Sequence, residues 1–116
     1  MRTTDVWTYR DTLDVSRDVL GYDVEATDGH IGKIDEASKD TSRRYLVVDT
    51  GFWIFGKKRM IPAGVVQRVD HTDRKVWIAM TKDQVKGAPD LDEADRSRDD
   101  AFFDRQGGYY RTYGDW

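Results

Sequence analysis

The chain contains no cysteine, only two prolines and two histidines, and no long apolar run. The missing cysteine excludes disulfides, thiolate metal sites and cysteine nucleophiles, and it fits a reducing compartment. No stretch approaches the roughly 18 to 20 apolar residues that span a bilayer, so we expect no membrane span. Residues 1–18 are polar throughout and lack the apolar core of a signal peptide. We therefore expect a cytoplasmic protein.

A clustered excess of positive charge is also lacking. The chain has 19 basic and 22 acidic residues, a formal net charge of −3, and residues 90–106 are strongly acidic. Because phosphate contacts need a clustered cationic surface, nucleic acid is not the expected partner. The basic run Lys57, Lys58 and Arg59 gives the weak candidates for nucleic-acid contacts. Charges in such a run more often protect an edge strand from aggregation.

Short apolar runs separated by turn signals extend from Leu20 to Pro89, a pattern typical of an all-β meander. Asp28-Gly29 is a two-residue hairpin signal, and Gly32 indicates a bulge or a close approach between strands. Pro62 marks a strand end or an edge, and Thr81 is placed to cap a short helical turn. The predicted strands are 22–26, 31–38, 44–50, 58–62, 64–70 and 75–80.

Two of these strands are apolar on both faces. Val76 and Ile78 point opposite to Trp77, and Leu46 points opposite to Tyr45. A small antiparallel sheet usually shows one polar face to water, so strands of this kind need a second cover. That cover is a second subunit, a partner or the chain's own terminal segments. We expect a homodimer.

One motif suggests an enzyme. Gly51, Gly56 and Lys57 have the spacing of a phosphate-binding P-loop. However, Lys58 stands where the motif needs a hydroxyl, and Pro62 prevents the helix that must follow. The four residues between the glycines are bulky and favour strands. We therefore expect a loop between two strands and no nucleotide.

The other enzyme templates are equally weak. His30 and His71 both fall in predicted turns, where histidine is usually exposed, and neither has a further ligand at metal spacing. Carboxylates and hydroxyls show no arrangement of base and nucleophile. We expect no catalytic residues, no metal and no cofactor.

The order of the motifs resembles that of the PRC-barrel domain family. The resemblance covers residues 20–89. The family includes the cytoplasmic domain of the photosynthetic reaction-centre H subunit and the C-terminal domain of the ribosome maturation factor RimM. We expect neither the membrane helix of the first nor the N-terminal barrel of the second in this protein. The motifs that carry the resemblance are Leu20-Gly21, Asp28-Gly29-x-Ile31-Gly32-Lys33-Ile34, Ile61-Pro62, and Thr81-Lys82-x-Gln84-Val85 with Ala88-Pro89.

The resemblance implies an all-β fold, a small, partly open antiparallel β-barrel of about six strands, used as a docking module without catalytic residues. We divide the chain into an N-terminal extension at 1–19, the barrel at 20–89 and an acidic, then aromatic tail at 90–116. The leading hypothesis is a non-enzymatic, self-associating interaction module with an unidentified protein partner. The candidate interaction surface is Phe52, Trp53, Phe55, Trp77, Tyr109, Tyr110, Tyr113 and Trp116.

Three alternatives remain from the sequence: an RNA- or ribosome-associated factor, a reaction-centre H-like electron-transport accessory, and a sensor that binds a small ligand in the open end of the barrel.

The C-terminal segment carries more aromatic residues than a solubilising tail needs. We expect part of 101–116 to be ordered against a barrel, with Gly107-Gly108 as a pivot between its acidic and aromatic parts.

Overall fold

The computed structural model describes residues 6–10, 12–15, 17–38, 43–51, 58–89, 91 and 99–113. Six strands, two α-helices and the 3-10 turn Ala63–Val65 form these parts of the chain. The six predicted strands and the helical turn after Thr81 are confirmed, and the second helix was not predicted. The elements are β1 (Asp23–Ala26), β2 (Gly29–Ala37), β3 (Tyr45–Asp49), β4 (Lys58–Pro62), β5 (Val66–Asp70), β6 (Lys75–Ile78), α1 (Lys82–Lys86) and α2 (Asp100–Arg111).

The strands form one sheet in the order β4-β3-β2-β1-β6-β5. The sheet is not closed, because β4 and β5 lie at its two ends. β1 and β6 pair in parallel, and the other four pairings are antiparallel. The expected small, partly open sheet of six strands is confirmed, with that one parallel pairing in it. Within the described ranges, no helix is long and apolar enough to cross a bilayer.

The strand ends follow the predicted turn chemistry, with one difference. Ala26 pairs with Gly29, so Thr27 and Asp28 form the β1–β2 turn, one residue earlier than expected. Gly29 belongs to β2 at a φ of +146°, a backbone conformation that suits glycine. Pro62 ends β4, which is an edge strand as predicted.

The apolar core is continuous and covers both faces of β3. Tyr45, Leu46, Val47 and Val48 are all buried. The second face of β3 is covered within the chain by the N-terminal segment 6–7 and by α2. The argument for a dimer from an uncovered second face therefore does not apply to β3.

The N-terminal segment pairs with the loops beside β3 and β4. The Arg44 amide donates to the Trp7 carbonyl at 2.9 Å, and the Gly64 amide donates to the Val6 carbonyl at 2.7 Å. The Trp7 ring then contacts the Phe103 ring edge-on, with 5.2 Å between the ring centroids. The two ends of the described chain therefore pack on each other above the sheet.

Helix α2 corrects one expectation about the tail. Asp99 caps the helix by accepting a hydrogen bond from the Phe102 amide at 3.0 Å. Gly107 and Gly108 lie inside the helix and are not a pivot. Gly107 lies against the indole of Trp7, where a Cβ would meet that ring at 3.1 Å. The buried positions recur at helical spacing and are Phe102, Phe103, Gln106, Gly107 and Tyr110.

The hypothesis that part of 101–116 is ordered against the barrel is confirmed by this packing. The Tyr109 hydroxyl donates to the Gln84 carbonyl, which ties α2 to α1. Thr81 and Gln84 form the capping box that starts α1, in which each side chain pairs with the backbone of the other. The Arg43 guanidinium pairs with Asp100 at 2.6 Å and holds the start of α2 beside β3.

Candidate interaction surface

The outer face of β2, β1, β6 and β5 carries polar side chains, whereas the inner face carries the core. In β1 and β6, half-buried and buried positions alternate strictly. The strand register places the outward residues in two rows across the four strands. We call this surface the charged face; its rows are Lys33, Asp23, Lys75 and Asp70, then His30, Glu25, Trp77 and Arg68.

The first row alternates in sign across the four strands. The Lys33 ammonium donates to Asp23 Oδ1 at 2.7 Å. This hydrogen bond, with the positive charges of Lys33, His30 and Lys75, holds the pKa of the Asp23 carboxyl below its usual range. The carboxylate therefore stays charged in mildly acidic solution.

At the other end of this row, Asp70 lies on the edge strand β5. The amides of Asp73 and Thr72 donate to Asp70 Oδ1, and the Asp73 bond is the main reason that the pKa of the Asp70 carboxyl is lowered. Arg68 approaches the other oxygen at 3.6 Å. The turn after β5 thus fixes a negative charge at this edge.

The second row has an aromatic ring beside its centre. Trp77 is half-buried on β6, and the Arg68 guanidinium lies over its indole with 4.4 Å from Cζ to the ring centroid. This is a cation–π contact, which attracts the guanidinium to the face of the ring. On the other side, Glu25 pairs with His30 at 2.5 Å. Trp77 therefore lies between a cation and an anion, with part of its ring open to solvent.

The structure does not gather the other predicted interaction residues into one surface with Trp77. Tyr109 and Tyr113 lie on and after α2, with Tyr109 half-buried and Tyr113 44% exposed. Tyr110 is fully buried in the core, so it does not belong to an interaction surface. Phe52, Trp53, Phe55 and Trp116 lie outside the described residues.

The structure also places two of the weak nucleic-acid candidates. The Lys58 ammonium pairs with Asp35 at 2.7 Å. Arg59 is only 3% exposed, and its guanidinium donates to the carbonyls of Val85 and Lys86 at 3.1 and 3.0 Å. Arg59 is thus an internal link between β4 and α1, not a phosphate contact. Lys57 lies outside the described ranges.

The P-loop alternative fails on secondary structure. A P-loop continues into a helix, and here Lys58 begins strand β4, as we expected. Among the residues that the structure describes, no group of three or more His, Asp or Glu side chains could hold a metal ion.

His71 was expected to be exposed, and that expectation is wrong. Its side chain is only 12% exposed. Nδ1 lies 2.8 Å from the Tyr22 hydroxyl, and Nε2 lies 2.7 Å from the Asp14 carbonyl oxygen. His71 therefore fastens the N-terminal segment to the barrel.

Sequence reasoning selected Trp77 but missed the charged residues around it. Their positions depend on the parallel pairing of β1 with β6 and on the bulges at Val24/Glu25 and Val66/Arg68. The alternation of charge within each strand was the available signal. Alternation shows which residues of a strand share a face, but it does not show that β1 lies beside β6.

No protein-family model matches the chain, and no curated protein does. Among solved structures, the fold is similar to the crystal structure of a protein from Pseudomonas aeruginosa described as the 16S ribosomal RNA processing protein RimM. The match has 18% sequence identity and a TM-score of 0.47, and it covers 56% of this chain. It spans 42% of that protein's length. Membership of the PRC-barrel family stays a prediction.

Proposed function

We propose that the protein is a non-enzymatic interaction module that associates with a second copy of itself through the charged face. The observation that carries this proposal is the alternating order of charge around the half-exposed Trp77. Isolated surface ion pairs contribute little to stability. An ordered set beside an exposed aromatic ring is better suited to selecting a partner.

The first row is self-complementary. Consider a two-fold axis that runs along the strands and passes between β1 and β6. The row reads Lys33, Asp23, Lys75, Asp70, so the axis sets Lys33 of one copy against Asp70 of the other. It also sets Asp23 against Lys75. Every contact within this row then joins opposite charges, so the row has the self-complementarity that an isologous interface requires.

The second row adds an aromatic ring to the interface. The same axis sets Trp77 against Glu25 of the second copy and His30 against Arg68, each twice per dimer. Tryptophan and arginine are the residues most enriched at interface positions of high energy, and Arg68 already holds the indole in one orientation. A held ring loses little side-chain freedom on binding, so more of its burial contributes to affinity.

The same charges make the face a poor nucleic-acid surface. Its carboxylates, Asp23, Glu25 and Asp70, balance its lysines and arginine, and phosphates need a net positive surface. The basic run at 57–59 adds little, because Lys58 is paired and Arg59 is internal. If the protein were RNA-associated, it would be retained on RNA, and this retention would weaken as the salt concentration is raised.

The first experiment measures the oligomeric state over a concentration series by sedimentation equilibrium. We expect a dimer in the micromolar range, and Trp77→Ala should weaken the association by about 30-fold or more. Lys86→Glu is the control, since Lys86 is exposed on α1, away from the charged face. It should leave the association unchanged.

The second experiment separates association from folding. Lys75→Glu places two carboxylates opposite each other in the dimer, and Asp23→Lys places two ammonium groups there. Each variant alone should be monomeric. A mixture of the two should form a heterodimer, because Glu at 75 then faces Lys at 23. If the parent protein is monomeric, or if the mixture does not associate while both variants remain folded by circular dichroism, the proposal is wrong.

A further inference from the structure

The open end of the sheet contains a cavity of about 170 Å³ that the interaction surface does not use. It lies between the β2–β3 and β5–β6 hairpins, and Tyr9, Val15 and residues 17–19 line it from the N-terminal segment. Its lining is Tyr9, Val15, Arg17, Asp18, Val19, Ala37, Ser38, Arg44, Leu46, Val66, Val69 and Val76.

The floor of the cavity is apolar. Four of its lining side chains are buried, and all four are aliphatic: Val19, Leu46, Val66 and Val76. They come from the N-terminal segment and from β3, β5 and β6, so the rigid sheet sets the shape of the floor. A cavity with such walls favours an apolar group over water.

The mouth of the cavity is polar and carries more positive than negative charge. Arg17 and Asp18 are exposed, and Arg44 is half-buried. Asp18 Oδ1 already accepts the Leu20 amide at 2.9 Å. Among the described residues, neither Arg17 nor Arg44 donates its guanidinium hydrogens to a protein acceptor.

Tyr9 positions one of these guanidinium groups. The Arg44 Cζ atom lies 5.9 Å from the centroid of the Tyr9 ring, and both residues line the cavity. Burial raises the pKa of the Tyr9 phenol to about 12, although Arg44 opposes the shift. The hydroxyl thus remains protonated at neutral pH and can donate a hydrogen bond.

We propose that this cavity binds a small carboxylate with a compact apolar body, with the body on the valine and leucine floor and the carboxylate at Arg44 and Arg17. An engineered apolar cavity of about 150 Å³ holds benzene, so the ligand has about six to nine non-hydrogen atoms. Arginine matches a carboxylate with two parallel hydrogen bonds. An inorganic anion would leave the apolar floor unused, and a neutral hydrocarbon would leave the arginines unused.

The test uses benzoate as the probe, with benzyl alcohol as a neutral analogue of similar size and acetate as an anion without the apolar body. Methyl NMR of the protein reports on Leu46, Val66 and Val76 directly. We expect saturable shifts of these methyl signals with benzoate. Benzyl alcohol and acetate should each bind at least about tenfold more weakly.

Two variants locate the site. Arg44→Gln should weaken the binding of benzoate by about tenfold or more and leave the binding of benzyl alcohol nearly unchanged. Val69→Phe should fill the cavity and abolish the binding of both compounds. Arg105→Gln, on the exposed side of α2, is the control and should change neither. The proposal is wrong if benzoate produces no saturable methyl shifts in the parent protein, or if benzoate and benzyl alcohol bind it equally.

Should Arg44→Gln prove unfolded, Arg17→Gln replaces it, because Arg17 is exposed and the same selective loss of benzoate is expected. This result is independent of the dimer, since the cavity lies on the inner side of the sheet and the charged face on the outer side.

Discussion

The carbonyl oxygen of Asp49 occupies the space that a side chain at Gly32 would need. A Cβ at Gly32 would lie 2.1 Å from that oxygen, and 2.9 Å from the carbonyl carbon. Both groups are backbone in paired strands, so neither can turn aside. The close approach predicted at Gly32 from sequence is therefore confirmed, and it is a strict requirement of the β2–β3 pairing.

Gly32→Ala should consequently destabilise the protein by about 3 kcal/mol, because the two strands must separate locally to admit the methyl group. Gly21→Ala is the matched control. Gly21 has a φ of +81° but no atom within 4 Å of its added Cβ, so only the conformational cost of about 1 kcal/mol applies. Urea unfolding measures both, and equal losses would contradict the steric argument.

Phe103→Ala should lower the free energy of unfolding by about 3 to 5 kcal/mol. The ring contacts both Trp7 and Tyr45, and the Arg43 guanidinium lies 4.7 Å from its centroid. Its loss therefore loosens α2, the N-terminal segment and β3 together. Tyr113→Ala removes an exposed aromatic ring just after α2 and should cost less than about 1 kcal/mol. Thermal melts compare the two variants. If their melting temperatures are the same, α2 does not stabilise the barrel.

Arg59→Met should destabilise the fold by about 3 kcal/mol, because it leaves the Val85 and Lys86 carbonyls without their charged donor. Arg105→Met, on the exposed side of α2, should stay within about 0.5 kcal/mol of the parent. Chemical unfolding checks the difference. If Arg59 served only as a surface cation, the two substitutions would have the same small effect.

Stability should fall in alkaline solution. Burial raises the pKa of Tyr110 well above its usual value, and it raises those of Tyr9 and Tyr109 to about 12. Below pH 10 these phenols are neutral in both states and contribute no pH dependence. Above pH 10 the unfolded chain releases their protons more readily than the folded chain, so the free energy of unfolding decreases.

For one tyrosine that ionises only in the unfolded state, the free energy of unfolding falls by about 1.4 kcal/mol per pH unit. Between pH 10 and 12, the free energy of unfolding of Tyr110→Phe should therefore fall less steeply than that of the parent protein, by about 1.4 kcal/mol per pH unit. Denaturant titrations at several pH values measure it. An unchanged slope would mean that Tyr110 is not protected from solvent.

The strands could be predicted because their signals are local. Alternation, β-branched residues and turn residues fix each strand from its own sequence, and Pro62 identifies an edge without reference to any neighbour. The polar, glycine-containing segment that forms α2 has weak helical signals of its own. It is helical because Phe102, Phe103 and Tyr110 are buried against distant parts of the chain. That stabilisation is tertiary, so the aromatic content of the segment predicted order but not a helix.

The charged face shows the same limit. Trp77 was selected because it makes its strand apolar on both faces, and such a strand needs a second cover. Its neighbour Glu25 lies on β1, whose adjacency to β6 depends on a parallel pairing across about 50 residues of chain. Arg68 lies on β5, the other strand of the β5–β6 hairpin. Bulges then change which residues stand opposite each other. Nothing local to these residues encodes that register.

The contact between Trp7 and Phe103 also affects how the protein is made. Trp7 leaves the ribosome before Phe103, its aromatic partner, is synthesised. Until then, the second apolar face of β3 and the Trp7 indole are uncovered on the nascent chain. Exposed apolar surface of this kind is where chaperones bind and where aggregation begins. A stall or truncation before residue 103 would therefore release an incomplete barrel that is prone to aggregate.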